Sequence, residues 1–299
     1  MGGTETSRSA LARRVDDGLG VAEEVEFFGG PERLFGCRHL PAGGPADGVA
    51  HDRGLLVCSP VLTDFGANYR REVDLARRLA AAGVPVARFH PRGCGHSDGA
   101  RADLTLDTLT GDAAAALDWF GATVPVRTTV VLATRLAAMA AAAAVADRPG
   151  VPLALWEPVT RPRAYLRAGL RARAVHRLAR RGGDGAGAPA ETEQPDDELA
   201  RQGYLDLLGV PVGPGLYGTP ADRTLLAALG KVPRPVLVVQ FEPGDLRRDL
   251  RDAAEEWRAA GFDVTTAVCP SDESWWFVPD RSPGGTDAVA ATAAWVGER

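Results

Sequence analysis

The stretch Val130-Val131-Leu132-Ala133-Thr134-Arg135-Leu136-Ala137-Ala138 places a reactive position between two different backbone habits. A β-branched, apolar run leads into a turn of small residues, and an alanine-rich segment with strong helix propensity follows. That pattern reads as a strand, a sharp bend and a buried helix, with Arg135 on the bend. A guanidinium stays protonated and has no free electron pair, so it cannot attack an acyl carbon. What it can do is bind anions, and helix N-terminal N–H groups beside it strengthen such a site.

Other groups offer chemistry at their own positions. Ser59 ends the apolar run Gly54-Leu55-Leu56-Val57-Cys58, and Ser97 lies in the glycine loop His90-Pro91-Arg92-Gly93-Cys94-Gly95-His96-Ser97-Asp98-Gly99. Either serine is a candidate displaced nucleophile, and either can instead cap a turn. His90 and His96 flank the loop as candidate acids or bases near neutral pH, or as its struts. Cys94 would need a lowered pKa, which the nearby Arg92 could supply. The arginines from Arg161 to Arg181 read as a solvated face that can also steer an acidic partner.

These groups need elements to hold them. Glu24 to Phe28 and Leu34 to His39 read as two strands across a Gly-Gly-Pro turn. Gly54 to Cys58, Val84 to Phe89, Val126 to Leu132, Val151 to Trp156 and Pro235 to Phe241 read as parallel strands buried on both faces, with Asp263 to Val268 as the last. Helices are expected over Tyr69 to Ala82, Leu104 to Phe120 with Asp103 as N-cap, Leu246 to Ala260 and Asp287 to Val296. The alternation predicts an α/β fold: a mostly parallel sheet flanked by helices, with right-handed crossovers. Residues 1–20 read as a flexible N-terminus, 21–160 with 233–299 as the core, and 161–232 as a helical cap insertion. Within that cap a disordered loop is expected near 182–197, with short helices over Leu199 to Leu208 and Thr224 to Leu229.

Composition narrows the classes. A net charge of −5, with no basic face evident, argues against nucleic acid. Lys231 is the only lysine, and the abundance of arginine, alanine and glycine suggests a GC-rich bacterial genome. Cys37, Cys58, Cys94 and Cys269 are scattered without a C-x-x-C pair, so neither zinc nor a disulfide framework is indicated. No apolar run reaches membrane-spanning length, and the polar N-terminus lacks a leader's apolar region. The expectation is a cytoplasmic protein with buried thiols, no metal and no cofactor. Its expected partner is a small-molecule or peptide ligand, with a protein partner or homodimer as further options.

The order of elements resembles the α/β-hydrolase superfamily. The His90 loop is similar to the D-x-R-G-x-G-x-S segment of the serine aminopeptidase group. Closer still, the chain resembles the exosortase-A-system-associated hydrolases and their actinobacterial relatives lacking the nucleophile serine. Cys58-Ser59-Pro60, Asn68-Tyr69-Arg70-Arg71-Glu72, Phe89-His90, Thr134-Arg135-Leu136 and Leu155-Trp156-Glu157-Pro158 carry that likeness, over roughly Glu24 to Trp295. In this superfamily the bend reads G-x-S-x-G. Here Ala133 and Ala137 replace the glycines, and Arg135 replaces the serine. The resemblance puts the triad acid at Asp245, with Glu242 as substitute, and a histidine near Ser271 to Phe277. That stretch has none, and no histidine follows His176.

Two triad members are thus missing from separate places. One reading has Arg135 bind a ligand carboxylate or phosphate, helped by backbone N–H of Val61 and Leu136. Trp275 and Trp276 would form an aromatic wall, with Glu273 beside it. The other has Arg135 pair with Glu157, Asp245, Glu273 or Asp64 and fill the old pocket, while the aromatics fill the histidine's space. Three functions follow: a binder of a small acidic or peptide-like ligand in a non-hydrolytic role, an esterase, thioesterase or amidase with a rearranged nucleophile, or a non-catalytic protein-binding scaffold.

Overall fold

A computed structural model describes residues 12–43, 50–181, 194–270 and 286–299, with the side chains of 178–181 and 286 excepted. Its main sheet is built from β1 (Ala12–Asp16), β2 (Val21–Phe28), β3 (Leu34–Pro41), β4 (His51–Cys58), β5 (Val86–Phe89), β6 (Val126–Thr134) and β7 (Leu153–Trp156). Between these strands run α1 (Asp64–Ala81), α2 (Leu106–Thr123) and α3 (Ala137–Val145). The chain then leaves the sheet through α4 (Pro162–Arg181), α5 (Pro195–Gln202), a hairpin of β8 (Leu205–Leu207) and β9 (Val210–Val212), α6 (Pro214–Tyr217) and α7 (Leu225–Leu229). It returns with β10 (Pro235–Gln240), α8 (Arg248–Ala259), β11 (Asp263–Val268) and α9 (Thr286–Gly297).

Among the described residues the sheet has nine strands in the order β1-β2-β3-β5-β4-β6-β7-β10-β11. The run from β5 to β11 is parallel, and β1 to β3 form an antiparallel edge. The buried strands explain themselves by period-two alternation. Leu56, Val131, Leu153, Leu155, Val236 and Val238 face one apolar layer with α2, α3 and α8. Leu55, Val57, Val130, Leu132, Ala154, Trp156, Leu237 and Val239 face the other, with α1 and α9. Each such side chain withdrawn from water contributes about 1.5–3 kcal/mol, which commits the sheet to two covered faces. Trp156 anchors the second layer: its indole Nε1 donates to Thr292 Oγ1 at 2.9 Å and its ring meets Phe241 edge-on.

Several sequence expectations are corrected. Ala12–Asp16, expected as part of a flexible terminus, is an edge strand paired with β2, although nearly all of it is exposed. Residues 1–11 lie outside the described residues. Asp103 sits in a 3-10 turn, and Thr105 caps α2 through a box with Thr108. The loop expected over 182–197 lies outside the described residues as far as 193, but Pro195–Gln202 is helical. Pro195 opens that helix, Asp196, Asp197 and Glu198 fill its first turn, and Gly203 closes it at φ 80°. Leu205 to Val212, expected as mostly helix and loop, is a hairpin instead. Arg173, expected on a solvated face, is buried, and its Nη1 donates to both carboxylate oxygens of Glu198 at 2.9 and 2.7 Å. No helix among the described residues is long and apolar enough to cross a membrane. All four cysteines are buried.

Candidate functional site

The bend predicted from sequence is present at the carboxyl end of β6. Arg135 adopts φ 56°, a left-handed conformation that β-carbon sterics disfavour. Its backbone is clamped there: the Arg135 N–H donates to Trp156 O at 2.9 Å, and its own carbonyl accepts from Ala138 and Val159 N–H at 3.2 Å each. Ala133 and Ala137 keep the flanks small enough for strand and helix to close on each other. Leu62 after β4 (φ 61°) and Glu157 after β7 (φ 46°) are also left-handed. Three non-glycine residues with left-handed backbone therefore follow the carboxyl ends of β4, β6 and β7, the edge where ligands sit in open α/β sheets.

The Arg135 side chain turns inward and finds acid. Nε donates to Asp64 Oδ2 at 3.3 Å, Nη1 donates to the Glu157 carbonyl at 3.4 Å, and the guanidinium lies 5.2 Å from the Tyr165 ring centroid. Tyr165, from α4, donates its hydroxyl to the same Oδ2 at 2.8 Å. Asp64 is fully buried, and its Oδ1 takes no hydrogen bond among the described residues. Burial pushes the Asp64 carboxyl up, opposed by the Arg135 charge and by both donors. Burial, followed by the neighbouring Asp64 charge, raises the Tyr165 phenol well above its ordinary value. Of the acids expected beside Arg135, Asp64 forms an ion pair with it among the described residues, and Glu273 lies outside them. Glu157 offers its carbonyl, while its carboxylate takes Arg247 at 2.5 Å and the Phe241 N–H at 2.7 Å.

Asp245 is exposed, and its backbone carbonyl accepts from Gln240 Nε2 at 3.1 Å. Glu242 lies 3.6 Å from Arg247. Val61 and Leu136 are buried beside the bend, and among the described residues no backbone–backbone bond outside the helices and strands uses either N–H. Glu273, Trp275 and Trp276 lie outside the described residues.

The two serines are held by other work. Ser59 is 1% exposed and donates to Glu72 Oε2 at 2.6 Å. Glu72 is fully buried and also receives Asn68 Nδ2 at 2.7 Å, with Arg88 at 4.0 Å. Ser97 donates to the His90 carbonyl at 2.6 Å and accepts the Phe35 N–H at 2.9 Å, so it meets the histidine's backbone rather than its ring. Cys94 is corrected as a nucleophile: burial pushes its thiol up to about 11, and Arg92 is spent on Asp112 and Glu32 at 2.7 Å each.

His90 is likewise no acid at neutral pH. Burial, and then the charges of Arg88 and His96, lower its imidazole to about 4. Its Nδ1 accepts the His96 N–H at 3.1 Å, and its ring packs between Phe35 and Phe65 at 4.9 and 5.2 Å. An unfolded histidine takes its proton near pH 6.5, the folded His90 only near 4. Stability is therefore complete above about 6.5 and falls as pH drops toward 4, by up to about 1.4 kcal/mol per pH unit for this residue. Urea midpoints at pH 7.5 and 5 should show that loss, and His90→Asn should reduce it, the remainder coming from His39, which burial lowers to about 3; an unchanged pH slope in the variant contradicts the assignment. Gly95 explains why the loop needs glycine: at φ +54° a β-carbon would stand 2.2 Å from His90 Nδ1. Gly95→Ala is expected to cost about 1–3 kcal/mol by urea unfolding, and an unshifted midpoint would refute this geometry.

Arg135 and Tyr165 border a cleft of about 630 Å³ between α4, α7 and α8. Val159, Leu225 and Leu226 give it an apolar wall, while Arg161, Arg247, Asp249, Asp252 and Glu256 bring charge of both signs. No group of side chains suited to a metal ion occurs among the described residues. Sequence reasoning missed Tyr165 and Arg247. The first was hidden in an arginine-rich helix, the second in a stretch read only for its acids.

No protein-family model and no curated protein sequence matches this chain. Solved structures do resemble it. Est1E from Butyrivibrio proteoclasticus with ferulic acid bound superposes with a TM-score of 0.60 at 15% identity, over 91% of this chain and 96% of that one. A putative hydrolase from Agrobacterium vitis S4 gives 0.56 at 15%, over 93% and 98%. An acetyl xylan esterase from Paenibacillus sp. R4 gives 0.57 at 13%, over 97% and 88%. Strand order, bend and these likenesses together show that the chain has the α/β-hydrolase fold.

Proposed function

We propose that this protein is a hydrolase-fold binder without Ser-His-Asp chemistry, holding a small acidic or peptide-like ligand in the cleft below α4. The observation that carries the reading is Arg135 itself: a charged, non-nucleophilic side chain occupies the strand-to-helix bend and is fixed by Asp64 and Tyr165. The absence of histidine after position 176 supports it independently. So do the engagements of Ser59 with Glu72 and of Ser97 with backbone.

In this reading Arg135 has two duties. Its pairing with Asp64 fills the space a nucleophile's machinery would need, and its position on the cleft gives the ligand a cationic wall. Val61 and Leu136, expected as backbone donors to the ligand, are fully buried and are not among the residues lining the cleft. The segment 161–232 acts as a cap that supplies Tyr165. Any reaction proceeds by positioning rather than by an acyl-enzyme, as in a non-hydrolytic step of a biosynthetic pathway.

The likeness to esterases favours a second reading, hydrolysis by a rearranged nucleophile. Ligand-observed NMR with amino acids, dipeptides and short carboxylic acids separates the two. Competing binders whose affinity drops about tenfold in Arg135→Ala, a change of about 1.4 kcal/mol, with no turnover of p-nitrophenyl acetate, support the first. An affinity untouched in Arg135→Ala removes Arg135 from the ligand site, and ester turnover revives the second.

A further inference from the structure

The cleft's charges are largely balanced from within. Arg135 meets Asp64 at 3.3 Å, Arg247 meets Glu157 at 2.5 Å and Asp249 at 3.1 Å, and Arg248 meets Asp252 at 3.5 Å. Two lining charges stand outside this balance: neither Arg161 nor Glu256 forms an ion pair among the described residues. Both are exposed to solvent. They sit on different elements, Arg161 just before α4 and Glu256 in the third turn of α8. Val159 and Leu225 line the same cleft, both of them buried.

We propose that the cleft takes a ligand charged at both ends, with an anionic group against Arg161, a cationic group against Glu256 and an apolar middle across Val159 and Leu225. This rests on the reading of the cleft as a ligand site and names the ligand class within it. Arg161 is the one lining arginine without an ion pair among the described residues, so a simple monoanion gains it beside the Asp64-paired Arg135 and is repelled by Glu256. A simple cation meets the converse. A ligand bearing both charges satisfies each and covers the aliphatic surface, which favours short peptides with free termini and similar zwitterions.

Leucyl-leucine, its N-acetyl derivative and its C-terminal amide test the point by isothermal titration against the full chain. The free dipeptide should bind about fivefold more tightly than either blocked form, the scale expected of solvent-accessible ion pairs. Glu256→Gln should abolish the preference over the N-acetyl form and leave that over the amide. Arg161→Gln should do the reverse. Both positions are exposed, so unfolding midpoints should not move. Blocked and free dipeptides binding equally, or both variants weakening all three forms alike, overturns the two-charge assignment while the cleft remains a ligand site. No binding of any of the three overturns the assignment together with the reading beneath it.

Discussion

Asp64→Ala should lower the unfolding free energy by about 3–5 kcal/mol, because it takes a buried carboxylate away from both a buried guanidinium and a buried phenol. Asp64 is wholly inside the protein, and Arg135 is 8% exposed. Neither can recover by turning to water. The loss belongs to the broken pair rather than to the pair's net worth, and this can be separated. Desolvating both charges costs nearly as much as their attraction returns, so removing both should be far milder than removing one. Asp64→Leu with Arg135→Met is therefore expected to regain most of the stability, and Tyr165→Phe alone to cost about 1 kcal/mol. Urea unfolding of the three variants decides the matter. A loss under about 1 kcal/mol for Asp64→Ala would mean that solvent reaches the pair.

Glu72→Ala should have an effect of similar size, about 3–5 kcal/mol, from a second buried cluster just behind the bend. Ser59 and Asn68 donate to its two oxygens at 2.6 and 2.7 Å, and Asn68 in turn receives Arg71 at 3.2 Å. Alanine removes both acceptors, leaves a cavity and takes away the carboxylate facing Arg88. Glu72→Gln keeps the volume and one acceptor, and should lose about 1–3 kcal/mol. The Ser59 hydroxyl released by Glu72→Ala has no imidazole hydrogen-bonded to it among the described residues, so the variant should gain no esterase activity. Gain of turnover would show that Glu72 restrains a competent nucleophile.

The sheet was legible because its parallel strands are buried on both faces and so read as unbroken apolar runs, as in Leu55 to Cys58 and Val236 to Val239. Elements whose burial is polar or absent were not. α1 begins at Asp64 rather than Tyr69, since its first turns bury Asp64 and Asn68, which hydrophobic periodicity ignores. β1 is exposed over four of its five residues and has no alternation to detect. The β8–β9 hairpin turns at Leu208 and Gly209, both left-handed, where an Asn-Gly pair would have announced it. The helix from Pro195 did carry legible cap signals, which the low-complexity composition before it masked.

The site divides along the same line. The bend and its arginine were visible as local sequence. The partners of that arginine come from α1 and α4, at separations of 71 residues for Asp64 and, between Tyr165 and Asp64, 101 residues. No local pattern links them. The serine loop misled for a related reason: its glycines and histidines look catalytic in a row, but the fold turns His90 into a buried, neutral strut and Ser97 into a backbone tie.

The central claim is that this hydrolase-fold protein lacks an activated serine. Exposure to a fluorophosphonate probe, followed by intact-mass measurement and peptide mapping, tests it most directly. The account predicts no adduct on Ser59, Ser97 or any other serine at concentrations that saturate a conventional serine hydrolase. A stoichiometric adduct on a single serine of the folded protein, abolished by denaturation, would contradict it.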